Sequence, residues 1–260
     1  MTGRSVPLTT LHGRQDLADL KGLYEAFPEM PLVSISEAQR RPIPNANVVG
    51  TVLHGLPRDL LVPTLIPRGG YLAFLGRISP EKRLDRAIAI ARAVGLPLKI
   101  AAKVDRADEA YFRREIVPLL AEPGIEFIGE INERQKGRFL GNADALLFPI
   151  DWPEPFGLVM IEAMACGTPV IAFRRGSVPE VIDDGVTGFV VNDEAEAVTA
   201  IGRLGELDRQ RIRATFEQRF TARRMAQDYL RYYERLLQDE TRQALKSVRM
   251  LNGAQPESTT

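Results

Sequence analysis

From residue 71 onward, short apolar runs recur between amphipathic stretches. YLAFL (71–75), LKIAA (98–102), IEFIG (125–129), ALLFP (145–149), PVIAF (169–173) and TGFVV (187–191) predict strands, and their two-sided hydrophobicity predicts burial on both faces. Between them, apolar residues spaced by three and four predict helices over 83–94, 108–120 and 132–141, and another opening near Gly157. Six such units predict an α/β fold: one doubly wound, Rossmann-like parallel sheet with helices on both faces. Ligands of such sheets bind beyond the carboxyl ends of the strands, so the loops after 75, 102, 129 and 149 are where function is expected.

The first 50 residues read differently. They offer two strands, PLTTL (7–11) and PLVSIS (31–36), and one helix around 16–26, too little for a separate domain of about 100 residues. PIPNAN (42–47) reads as a loop, residues after 192 as helical to about Leu237, and the polar end NGAQPESTT as disordered.

Composition narrows the partners. With 34 basic and 34 acidic residues among 260, there is no global field to draw nucleic acid or an anionic membrane, so an anionic partner must be small and locally bound. The one cysteine, Cys166, rules out an internal disulfide and reads as a small core residue in a chain expected in a reducing cytoplasm. No run of about 18 apolar residues predicts a membrane span, and the start of the chain lacks a signal peptide's apolar core.

The segment EPFGLVMIE (154–162) carries two glutamates eight positions apart. On one continuous helix they would stand about 12 Å apart along the axis and about 80° apart around it, too far to share a metal or act as a close acid pair. Pro155 pushes the preceding residue out of the α region and itself suits a helix start, so Glu154 belongs to the loop and Glu162 to the following helix. Gly157 and Leu158 then lie where helix amides are unpaired and the dipole favours an anion. Val159, Met160, Ile161, Ala163 and Met164 make that helix apolar nearly all round, hence buried, and a buried Glu162 requires a partner. The pattern predicts a phosphate seat flanked by two carboxylates suited to hydroxyl groups.

A second cluster, Gly76-Arg77-Ile78-Ser79-Pro80-Glu81-Lys82-Arg83, follows strand 71–75, with Ser79 placed to cap the next helix and Pro80 at its first position. Cations at a helix start oppose the dipole. By residue chemistry alone Arg77 and Lys82 are either a solvated cluster or a clamp on a bound diphosphate, and Arg83 is assigned to the surface.

EPFGLVMIEAMACGTPVIA together with GRISPEK resembles the retaining glycosyltransferases of family 4, of GT-B fold, and the likeness covers roughly residues 51–240. By that resemblance Arg77 and Lys82 bind the donor diphosphate, Gly76 is a further donor-binding residue, Glu154 and the amides of Phe156, Gly157 and Leu158 hold the transferred sugar, and Glu162 accepts from the ribose. His12, in Thr10-Leu11-His12-Gly13, matches the cleft histidine of the family's acceptor-binding domain; His12 and Glu154 are the expected catalytic pair, although a lone histidine at a strand end also suits a structural hydrogen bond. His54, where the family usually has asparagine, reads as structural, and the aromatic stripe of helix 223–237 as packing. The resemblance implies a hexose transferred from a nucleotide diphosphate sugar, UDP-glucose by default, to an unknown acceptor with retention, without metal or cofactor.

The implied division is 1–50, the remnant of an N-terminal acceptor-binding domain; 51–220, the nucleotide-sugar-binding domain; 221–240, a helix returning to the N-terminal domain; and 241–260, a partly disordered tail. Such a truncated chain is expected to transfer sugar poorly. The alternative is a non-enzymatic nucleotide-sugar-binding or scaffold module, completed by a partner chain or by self-association through the incomplete N-terminal domain. A nucleotide-sugar epimerase or a phosphorylase of the same fold is a third reading, to which EPFGLVMIE does not point.

Overall fold

The computed structural model describes residues 7–253. Two parallel sheets lie along the chain. The smaller contains β1 (Thr9–Thr10), β2 (Leu32–Ser34) and β3 (Val48–Thr51), in that spatial order, with the helix Ala18–Ala26 crossing over between the first two. Its own core is small: Leu11, Tyr24, Leu32 and Ile43. Two strands were expected in this region; the third, β3, begins one residue after the PIPNAN loop and pairs with β2.

The larger sheet matches the six expected runs: β4 (Leu72–Arg77), β5 (Leu98–Lys103), β6 (Ile125–Gly129), β7 (Ala145–Phe148), β8 (Val170–Phe173) and β9 (Gly188–Val191). All are parallel, in the order β6-β5-β4-β7-β8-β9; the burial expected on both faces fails at β6, which lies at the edge of the sheet and leaves Glu126, Phe127 and Ile128 exposed. The order reverses between β4 and β7, which makes their carboxyl ends the switch point where a doubly wound sheet opens a crevice. Side chains alternate across the sheet as period two demands. Leu72 and Phe74 enter a core with Ile88, Ile100 and Leu147, whereas Ala73 enters the opposite one with Leu146, Met160 and Ile161.

Three helices differ from expectation. Arg83 takes a left-handed conformation (φ +51°), which separates a 3-10 turn at Pro80–Lys82 from the helix Leu84–Val94. Ser79 therefore precedes the turn, its hydroxyl makes no cap, and Lys82 does not sit in the first turn of an α-helix. The stretch 108–120 is broken into the helix Glu109–Tyr111, a π-turn at Phe112–Ile116 and the helix Val117–Leu120 around Pro118. The closing helix, expected to end near Leu237, runs Ala222–Gly253, so the first part of the expected tail is helical; residues 254–260 lie outside the described residues.

That long helix ties the two sheets together. Its entry is fixed by backbone bonds on both sides of Leu56, from Leu56 N to Phe220 O (2.9 Å) and from Ala222 N to Leu56 O (2.8 Å). Arg224 donates to the carbonyls of Leu53 and His54 at 2.7 and 2.9 Å, and the Tyr229 hydroxyl meets Thr10 Oγ1 at 2.8 Å. Tyr232 lies so close over Gly50 that a Cβ there would meet its hydroxyl at 2.0 Å. The stripe Tyr229/Tyr232 is packing, as its spacing predicts.

Candidate functional site

The switch point holds a cavity of about 380 Å³ walled by both sheets. Eight of the nine expected site residues line it: His12 from the loop after β1, Gly76 and Arg77 at the end of β4, Lys82 from the 3-10 turn, and Glu154, Phe156, Gly157 and Leu158 from the loop after β7. The ninth, Glu162, lines an adjoining cavity of about 200 Å³, which shares Leu75, Gly76 and Val159 with the first.

The loop 154–157 is held by its carbonyls. Ser177 N donates to Glu154 O (3.0 Å), Ser177 Oγ to Phe156 O (2.9 Å), and Ser36 Oγ, from the smaller sheet, to Pro155 O (2.7 Å). Gly176 makes this possible, because a Cβ there would lie 2.3 Å from Glu154 O. Gly157, at φ +79°, turns the chain into the helix Leu158–Ala165. The amides of Phe156, Gly157 and Leu158 donate to no protein acceptor among the described residues, so they are free to bind an anion or a hydroxyl oxygen.

Each glutamate of EPFGLVMIE has a cation. Glu154 is 8% exposed, and its Oε2 accepts from Lys82 Nζ at 2.6 Å and from Trp152 Nε1 at 2.8 Å. Glu162 accepts from Lys136 Nζ at 2.8 Å, the partner that its burial required. Burial alone would lower the Lys136 pKa, but hydrogen bonds to Glu133 and Glu162 outweigh it and hold the ammonium above its ordinary value.

Lys82 is wedged between aromatic faces, 5.5 Å from the centre of Phe148 and 5.4 Å from that of Trp152. Arg77 is set differently. It is the last residue of β4, 45% exposed at the side chain, and pairs with Glu81 (2.8 Å), Asp105 (3.5 Å) and Asp108 (3.8 Å). Lys103 pairs with Asp105 at 3.1 Å and lines the smaller cavity. Arg83, assigned to the surface, forms its own network with Asp85 and Asp151.

Three cavity neighbours, Trp152, Lys136 and Arg14, escaped the sequence reading, and a fourth, His54, was assigned a structural role there. Trp152 and Lys136 bind the two glutamates. Arg14 lies 5.5 Å over the Trp152 ring from the smaller sheet's side, and His54 lines the main cavity. A tryptophan two residues before Glu154 was a visible signal for the first; the others lie far from their partners in sequence. His54, read as structural, stacks on His12 with ring centres 5.3 Å apart and planes 8° apart, and presents its ring to Phe156 at 4.9 Å. Cys166 is buried in the core as expected, and burial pushes its thiol up to about 12. Among the described residues, no helix is long and apolar enough to cross a membrane.

Residues 64–218 match the sequence profile of the family described as "Glycosyl transferases group 1". The chain is 32% identical over 231 residues to the D-inositol 3-phosphate glycosyltransferase of Saccharomonospora viridis, a match covering 81% of this chain and 51% of that protein. It is 30% identical over 171 residues to the phosphatidyl-myo-inositol mannosyltransferase of Propionibacterium freudenreichii, covering 61% of this chain and 42% of that one. The chain thus spans about half the length of these curated relatives. Among solved structures, Anabaena Alr3699/HepE in complex with UDP and glucose superimposes with a TM-score of 0.74 at 18% identity, over 87% of this chain and 71% of that one. At that identity the likeness concerns the fold, which is the GT-B arrangement.

Proposed function

The chain belongs to the glycosyl transferases group 1 family, and we propose that it binds a nucleotide diphosphate sugar at the β4/β7 switch point and transfers the hexose to an acceptor with retention of anomeric configuration. UDP-glucose is the first donor to test. The observation that carries this reading is that one cavity gathers His12, Arg77, Lys82, Glu154 and the free amides of Phe156 to Leu158 from segments far apart in the chain.

Transfer breaks the bond from the anomeric carbon to the diphosphate and forms one to an acceptor oxygen. Negative charge gathers on the leaving diphosphate, where Lys82, Arg77 and the amides at the start of helix Leu158–Ala165 stand ready to stabilise it. For that, Arg77 must exchange carboxylate partners for phosphate, and Lys82 must share itself between Glu154 and the donor. The acceptor's hydroxyl proton leaves with the diphosphate, so neither glutamate has to exchange one. Glu154 and His12 orient sugar hydroxyls, Glu162 takes those of the ribose, and the cations do the work a metal would otherwise do. The division into a donor-binding part, 51–220, and an acceptor-side part, 1–50, belongs to the same proposal.

The test is incubation of the 260-residue chain with UDP- and GDP-linked glucose and mannose and an acceptor panel, with EDTA in a parallel arm. Product formation with the donor's anomeric configuration supports the reading; an inverted product, or loss of transfer in EDTA, refutes the corresponding part of it. A second reading, a donor-binding module completed by another chain, draws on Leu230, Tyr233 and Leu237, which lie exposed along the long helix. Nucleotide-sugar affinity without transfer until a partner is added would favour it.

A further inference from the structure

The stacked imidazoles of His12 and His54 are unaccounted for by a merely structural His54. Neither ring has a hydrogen-bond partner in the protein among the described residues, although both line the main cavity. A partly buried imidazole carries a donor and an acceptor that require partners, and water or a ligand hydroxyl must supply them here.

The backbone at His54 is unusually constrained. Arg224 grips the carbonyls of Leu53 and His54, and a Cβ at Gly55 would meet Thr221 O at 2.4 Å, so the segment sits directly on the entry of the long helix. The ring stacks on His12 and meets Phe156, next to the sugar seat, in a T-shaped contact. Burial, then the fields of His12 and Arg224, pushes its pKa down to about 4, which leaves it neutral near pH 7 and able both to donate and to accept.

We propose that His54 is a second hydroxyl-binding residue of the cleft: it fixes the plane of His12 by stacking and presents its own ring nitrogen to a hydroxyl of the group carried by the donor. It rests on the reading of this cavity as a nucleotide-sugar site, and it bears on the sugar rather than the nucleotide. Discrimination among hexoses is therefore its consequence.

The experiment compares the full chain with His54→Phe, which keeps an aromatic ring in the stack without nitrogens, and with His54→Gln, which keeps a donor and an acceptor. Calorimetric titration uses UDP, GDP and their glucose and mannose conjugates. Wild type is expected to bind one nucleotide, and His54→Phe to bind it within twofold. Its ratio of conjugate to nucleotide affinity should fall roughly 3- to 10-fold, the worth of one neutral hydrogen bond, with partial recovery in His54→Gln. An unchanged ratio in a folded His54→Phe overturns the inference while the site reading stands. So does an equal loss of nucleotide and conjugate affinity, the mark of a packing role. Failure of wild type to bind any of the nucleotides or conjugates overturns the site reading and this inference with it.

Discussion

Glu162 offers the sharpest test of the donor site, because its surroundings allow the cost of removing it to be worked out. The carboxylate side chain is 12% exposed, and its Oε1 is taken by Lys136 at 2.8 Å. Among the described residues the other oxygen has no hydrogen-bond partner, and the proposed ribose contact would fall on it. One hydrogen bond to a charged group contributes about 1.5–3 kcal/mol, so Glu162→Ala should raise the Kd of the preferred nucleotide roughly 10- to 150-fold. Folding should suffer less, since Lys136 keeps Glu133 at 2.6 Å. The assay is calorimetric titration of wild type and Glu162→Ala with UDP and with 2′,3′-dideoxy-UDP, or the guanosine pair if that base is preferred. The dideoxy ligand should bind both proteins equally, because the hydroxyls that sense Glu162 are gone. A UDP Kd unchanged within twofold, or the same loss for both ligands, would refute a ribose contact.

Lys82→Met keeps the stem between Phe148 and Trp152 but leaves Glu154 with only the Trp152 N–H; it should abolish measurable transfer and lower stability by about 2 kcal/mol. Adding Glu154→Gln should restore the melting temperature but not transfer, and recovery of both would refute the assigned role. Gly157→Ala places a Cβ 2.7 Å from Met160 Cε at φ +79°; the left-handed conformation alone costs about 1–2 kcal/mol, so thermal melting should shift down and nucleotide affinity fall, against which an unaltered titration would count. The His54 pKa, near 4 in the fold and 6.5 ordinarily, means that the unfolded chain binds the extra proton between those values. The contribution is therefore complete above pH 6.5 and is lost as pH falls toward 4. Urea titrations of His54→Asn should show a flatter stability profile than wild type across that window, and parallel profiles would refute the burial argument.

What could be read from the sequence was local. The six runs of β4 to β9 stood out as short, nearly uninterrupted apolar stretches, although full burial holds only for β7, β8 and β9 and the edge strand β6 leaves Glu126, Phe127 and Ile128 exposed. The loop-to-helix seat was legible because Pro155 and Gly157 dictate the backbone where they stand. β3 was missed because its four residues, Val48–Thr51, are all half-buried and lack that uninterrupted pattern. The partners of the glutamates were missed for another reason: Lys82 lies 72 residues from Glu154 and Lys136 lies 26 from Glu162, and no local rule joins them. Lys82 was noticed for opposing a helix dipole, but the helix starts two residues later, because Arg83 turns left-handed. What holds Lys82 at the cavity is instead the carboxylate of Glu154 and the aromatic faces of Phe148 and Trp152.

His54 shows how the two kinds of information combine. Alone, a histidine beside a glycine at the crossing between sheets suggests packing, and Gly55 does pack, against Thr221. That packing is what holds the imidazole in place on the cavity. The same holds for Ser36, whose hydroxyl caps the helix Glu37–Arg40 and also donates to Pro155 O. Through these contacts the smaller sheet bears directly on the carbonyl beside the free amides, so displacing that sheet by even 1 Å would break the 2.7 Å Ser36 bond and loosen the loop 154–157. The long helix, latched at Thr10 and packed over Gly50, opposes such a displacement. The geometry of the seat is thus set jointly by the local chemistry of residues 154–158 and by contacts that only the folded chain brings together.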